Sequence, residues 1–120
     1  MAKKRAKRDQ LPKLKAPSVR YDGGPGGLAV ELRAGLPLPA RARYHEEIHD
    51  LRRSTDDSWQ RGLEFLWEQL GTGWDINDSP ITARKELLGR YRMASQDERR
   101  FVRESLRQHL AEYFPEMERP

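Results

Sequence analysis

The chain contains no cysteine, so neither a disulfide framework nor a thiolate-held metal can contribute to its stability. Long apolar runs are missing too. Nothing approaches the roughly 20 consecutive apolar residues that span a bilayer, and at a mean hydropathy of −0.97 no membrane partner is expected. The first residues are basic like the start of a secretory signal, yet Asp9, Gln10, Pro12, Lys13, Lys15 and Pro17 stand where an apolar segment would lie. A signal peptide is therefore not expected, and a cytoplasmic address fits. At 120 residues the chain supports one domain, near the size at which a single hydrophobic core is only just sufficient.

Lysine is scarce over most of the chain: five of the six lie within the first fifteen residues, while the remainder uses arginine almost exclusively. Residues 1–20 carry Lys3, Lys4, Arg5, Lys7, Arg8, Lys13, Lys15 and Arg20 against Asp9 alone, a net of +7; the whole chain is +4, so residues 21–120 carry −3. The two kinds of base suit different tasks. Lysine is a mobile, hydrated point charge, whereas arginine makes planar, packed pairs. Residues 1–20 hold almost no large apolar groups beyond Leu11, Leu14 and Val19, too few to offset chain entropy, and a disordered basic arm is expected.

Residues 21–39 read as a Gly/Pro-rich linker that opens with YDGGPGG. Within it, residues 28–33 alternate large apolar with small or charged side chains, the period of a half-buried strand. Pro37 and Pro39 then interrupt regular structure before a helical domain over residues 40–117. Its first helix, about 40–53, has Tyr44, Ile48 and Leu51 on one face. A second, about 55–70, is capped by Ser54, places Asp56 and Asp57 at its positive end, and buries Trp59, Leu63, Leu66, Trp67 and Leu70. Gly71 stops it. Ser79-Pro80 reads as the start of a third helix reaching about 93, with Leu87, Leu88 and Tyr91 inward. Ser95 to Glu98 form a capping box that opens a fourth, whose stripe is Val102, Leu106, Leu110 and Tyr113 and which Pro115 ends. The expected fold is all-α, a bundle of three or four helices with one short strand at most.

His45-Glu46-Glu47-Ile48-His49 matches H-E-x-x-H. Histidines four apart share a helix face and can reach one Zn²⁺, with Glu46 as general base. The cationic neighbours Arg41 and Arg52 oppose a metal there, and a third ligand would have to come from His109, Glu64 or Glu68. Asp75, Asn77, Ser79 and Glu86 have the oxygen spacing of an EF-hand loop, but Pro80 occupies the position where that loop needs glycine. Arg99, Arg103 and Arg107, with Arg100 beside them, recur along the fourth helix as a subsidiary basic stripe, which Asp97 and Glu104 are placed to neutralise. In the arm, Lys3-Lys4-Arg5-Ala6-Lys7-Arg8 suits phosphate binding by counterion release and has the form of a nuclear localisation signal.

The order of a strand over 28–33 and two helices resembles the ribbon-helix-helix repressors, dimers whose paired strands enter the major groove. The likeness is one of topology over about a third of the chain. It implies DNA-facing positions at Ala29, Glu31 and Arg33; Glu31 is unsuited to phosphates, and the two-proline linker departs from that family's short turn. No phosphate-cradling glycine loop with lysine, serine nucleophile elbow or Cys/His pair is present.

These observations lead to the expectation of a non-enzymatic accessory protein without a cofactor, which binds nucleic acid or a nucleoprotein complex through its arm. The acidic body would contact a protein partner or a second copy. One alternative is a protein–protein adaptor or assembly component of phage or mobile-element type, using Phe65, Trp74 and Phe101, which fall outside the main stripes, as contact surface. The other is a small zinc hydrolase built on His45, His49 and Glu46.

Overall fold

A computed structural model describes residues 16–120 and shows an α+β fold, which corrects the expected all-α bundle. The elements are β1 (Ser18–Tyr21), a single 3-10 turn (Pro25–Gly27), β2 (Leu28–Arg33), α1 (Leu38–Ile48), α2 (Thr55–Leu70), β3 (Gly71–Ile76), β4 (Ser79–Ile81), α3 (Arg84–Arg92) and α4 (Gln96–Tyr113). The strands form one sheet in the order β1-β2-β3-β4, antiparallel throughout. Among the described residues no helix is long and apolar enough to cross a membrane.

β2 is the expected strand, and its alternation has the expected consequence. Leu28, Val30 and Leu32 are fully buried, while Glu31 and Arg33 on the opposite face keep partial exposure. Its partners lie within the chain. β1 occupies one side and β3 the other, so β2 has no free edge for a second copy and the ribbon-helix-helix arrangement does not apply. Tyr21 and Val30 pair in the β1–β2 register, which places the last residues of the expected arm and part of the expected linker inside the sheet.

β3 and β4 occupy the stretch between the second and third expected helices. Gly71 ends α2 by donating its N–H to the Trp67 carbonyl, but its φ of −65° and ψ of 124° are extended, so the chain passes from helix into strand without a loop. A Cβ at Gly71 would lie 2.6 Å from the Trp67 carbonyl oxygen, which is why the tight exit takes glycine. Asn77 and Asp78 have φ of 51° and 62°, the two left-handed residues of a type I′ hairpin. Ser79-Pro80, expected to start a helix, therefore begins β4. There Pro80 sits on an edge strand that tolerates a missing N–H, and α3 starts only at Arg84.

The core lies between one face of the sheet and the helices. Trp67 of α2 and Trp74 of β3 meet edge to face at 6.0 Å, and Trp67 Nε1 donates to the Leu87 carbonyl at 3.0 Å, fixing α3 against both. Trp74 is thus core rather than contact surface, with the Arg90 guanidinium 4.7 Å above its ring. Phe65 and Phe101 also pack against the core. On the outer face of the sheet Arg20 lies between Asp22, Glu31 and Asp75.

His109 is the polar group at the centre. It is fully buried on α4, with Nε2 2.7 Å from the Arg33 carbonyl and Nδ1 2.7 Å from the Tyr21 hydroxyl. A carbonyl only accepts, so Nε2 carries the proton and Nδ1 accepts from Tyr21. Burial holds the imidazole below its ordinary pKa and pushes the Tyr21 hydroxyl up to about 12, so both stay neutral. Because the unfolded chain then takes up the His109 proton more readily, stability is intact above the unfolded value of about 6.5 and is lost as pH falls below it. Urea denaturation between about pH 5 and 8 is expected to show this loss. In His109→Phe it should disappear, with a general destabilisation of about 1–3 kcal/mol for each group left unpaired.

Two helical glycines give opposite expectations. A Cβ at Gly62 of α2 would lie 2.5 Å from Ile48 Cγ2 and 3.3 Å from Tyr44 Cε1, whereas one at Gly89 of α3 meets nothing within 4 Å. Gly62→Val is expected to destabilise by about 1–3 kcal/mol through overpacking at the α1–α2 crossing. Gly89→Ala is expected to stabilise by up to about 1 kcal/mol, and thermal unfolding of the two variants checks both signs.

Candidate functional site

α4 divides its surface sharply. Val102, Ser105, Leu106, His109 and Leu110 are buried, and this inward face aims the arginines spaced four apart towards α2. A groove runs between the two helices. Gln60, Leu63 and Arg103 line its whole length; Tyr91, Gln96, Arg99 and Arg100 complete one half of about 330 Å³, and Asp56, Trp59, Arg107, Arg119 and Pro120 the other, of about 540 Å³.

Five guanidinium groups thus border one groove, although residues 21–120 as a whole are net acidic. Arg100 pairs weakly with Asp97 at 3.5 Å. Arg99, Arg103, Arg107 and Arg119 make no ion pair among the described residues. The neutralisation expected from Glu104 does not occur, and Asp56 is the one acidic side chain on the lining among the described residues. Elsewhere several surface arginines are matched: Arg53 with Glu47 and Asp50, Arg61 with Asp57, Arg90 with Glu98, Arg92 with Glu64. Tyr91 lies at the groove floor with its hydroxyl pKa raised, chiefly by burial, so it stays a neutral hydrogen-bonding group.

Of the arm residues, Lys3, Lys4, Arg5, Lys7, Arg8, Lys13 and Lys15 lie outside the described residues. Arg20 belongs to β1, where Asp75 at 3.3 Å, Glu31 at 3.5 Å and Asp22 at 3.7 Å surround it. The Asp75 hydrogen bond is the main reason its pKa is raised. Its charge is taken up within the sheet, which separates it from the lysines before it.

The H-E-x-x-H histidines share one face of α1, with ring centroids 4.3 Å apart. None of the three expected third ligands reaches them: His109 is committed to Tyr21 and Arg33, Glu64 pairs with Arg92, and Glu68 lines grooves beside Arg92. Glu118 reaches them instead. Its Oε1 is 2.8 Å from His49 Nε2, and one donor atom each from His45, His49 and Glu118 lie within 4.8 Å of one another. Glu46 is exposed and has no partner among the described residues. The opposing cations are themselves matched, Arg41 with Glu116 and Arg52 with Asp50. The EF-hand spacing falls apart in the hairpin, where Asp75 bonds Arg20 and Glu86 lies on α3.

Periodicity and motif spacing do not single out Glu118 or Arg119. The available signal is Phe114-Pro115 ending α4 with an apolar residue, Met117, two positions on. Met117 is buried and turns the tail back over α1. Compared with known proteins, the chain matches no protein-family model, no curated protein and no solved structure.

Proposed function

We propose that this is a non-enzymatic accessory protein that binds the phosphate backbone of nucleic acid, alone or within a nucleoprotein complex. The observation that carries this reading is the set of unpaired arginines on the α2–α4 groove, in a body that neutralises most of its other cations. Arg99 to Arg107 span eight residues of helix, roughly 12 Å at 1.5 Å per residue. That length suits successive phosphates, and guanidinium groups bind phosphate in bidentate fashion. The lysines of residues 3–15 add charge of the same sign, giving affinity by counterion release without reading bases. Trp59 beside the groove offers a face on which a base can stack.

The arm and the groove can be tested separately, provided the truncation stops before β1. Removing residues 1–15, and independently replacing Arg99, Arg103 and Arg107 by alanine, should each weaken binding to duplex and single-stranded oligonucleotides. For every phosphate that is no longer neutralised, the slope of log K against log salt should fall by about 0.9 on a duplex, so the triple variant should lose about 2 to 3. Fluorescence anisotropy across a salt series measures both. Unchanged affinity and slope in both variants would sink the proposal and favour an adaptor whose contacts are with protein.

A further inference from the structure

We infer that His45, His49 and Glu118 form a Zn²⁺ site that staples the C-terminal tail to α1, a structural role separate from nucleic-acid binding. The α-helical spacing of four puts the two imidazoles side by side, and the tail supplies the carboxylate. Glu118 is not placed by its own rotamer alone. Met117 is buried beneath it and donates its N–H to the Phe114 carbonyl at 3.0 Å. The Tyr44 hydroxyl donates to the Glu118 carbonyl at 2.7 Å, and Arg41 holds Glu116. Backbone and side chain are thus delivered together to the histidines.

Donor chemistry selects the ion. Two imidazole nitrogens and one carboxylate oxygen form a set favoured by zinc and poorly suited to Mg²⁺ or Ca²⁺, which take oxygen ligands. Donors on one tetrahedral zinc lie about 3.3 Å apart, from metal–ligand distances of about 2.0–2.2 Å. His49 and Glu118 are already 2.8 Å apart, and the 4.8 Å limit for the whole set leaves a small side-chain rotation to bring in the third donor. All three residues are exposed, so water can take the fourth position. Binding exchanges the His49–Glu118 hydrogen bond for coordination of both groups by the same ion. Arg119, the next residue, lines the arginine groove, so the staple also fixes one of its cations.

Tag-free, chelator-stripped full-length protein titrated with ZnCl₂ in a calorimeter is expected to bind one ion per chain. His45→Ala, His49→Ala and Glu118→Gln should each weaken binding by about tenfold or more and should each change the visible absorption of the Co²⁺-substituted protein. Zinc should slow amide exchange in residues 115–120 of the wild type and not of Glu118→Gln. That variant keeps the size of the side chain and preserves the test if a histidine variant fails to fold. Binding below one equivalent, binding unaffected by the substitutions, or weakening in the histidine variants with none in Glu118→Gln would each overturn the proposal. The readouts involve no nucleic acid, so they stand or fall independently of the groove.

Discussion

The His109 imidazole donates to the Arg33 carbonyl at the end of β2 and accepts from the Tyr21 hydroxyl at the end of β1, and the rotation of α4 follows from it. A buried imidazole must find one acceptor and one donor or cost about 1–3 kcal/mol for each unpaired nitrogen. Those partners come from two antiparallel neighbours, Tyr21 opposite Val30 of β2 and Arg33 opposite Ser18 of β1, and one ring of α4 reaches both. Once His109 points there, Val102, Leu106 and Leu110 fall on the sheet, and Arg99, Arg103 and Arg107 turn towards α2. The same bond makes β1 part of the body. The lysine-rich segment therefore leaves from an edge strand rather than from a loose linker.

Charge in this protein is sorted by structure rather than by sequence position alone. Arg20 belongs by composition to the basic first twenty residues, but the strand register places it opposite Glu31 with Asp75 within reach, and its charge is used inside the sheet. Arg99, Arg103 and Arg107 of α4 belong to a body that is net acidic, yet they make no ion pair among the described residues, whereas Arg90 and Arg92 of α3 are matched by Glu98 and Glu64. Surface ion pairs of this kind contribute little stability. Their effect here is to leave one groove as the place where unpaired guanidinium groups collect.

The helices were legible because their signals are local, although α1 ends at Ile48 and leaves Leu51, expected on its inward face, exposed. Ser54 accepts from the Asp57 N–H at 3.1 Å, the Ser95–Glu98 box forms in both directions, and the apolar stripes of α2 and α4 are buried as their period of 3.6 requires, except that Trp59 is only partly buried and Tyr113 at the end of α4 is exposed. The strands other than β2 were hidden because their signals are not local. β1 is four residues at the end of a basic run. β3 begins with two glycines in its first three residues, and the β3–β4 turn uses Asn-Asp rather than the Asn-Gly that marks a type I′ hairpin. Ser79-Pro80 carries real helix-start chemistry, but the hairpin claimed it first. Glu118 was hidden for a related reason: a helical wheel shows that His45 and His49 share a face and cannot show which distant segment packs over it.

The phosphate-binding face proposed for α4 lies on the α2–α4 groove, towards which its arginines turn once His109 is buried. Side-chain NMR of the arginine Nε–Hε groups, followed while a short duplex is added to the full-length protein, tests it residue by residue. Salt-sensitive shifts are expected at Arg99, Arg103, Arg107 and Arg119, with Arg20 and Arg53 held by their carboxylates and unmoved. Shifts at Arg20 and the outer face of the sheet, with the α4 arginines silent, would contradict it.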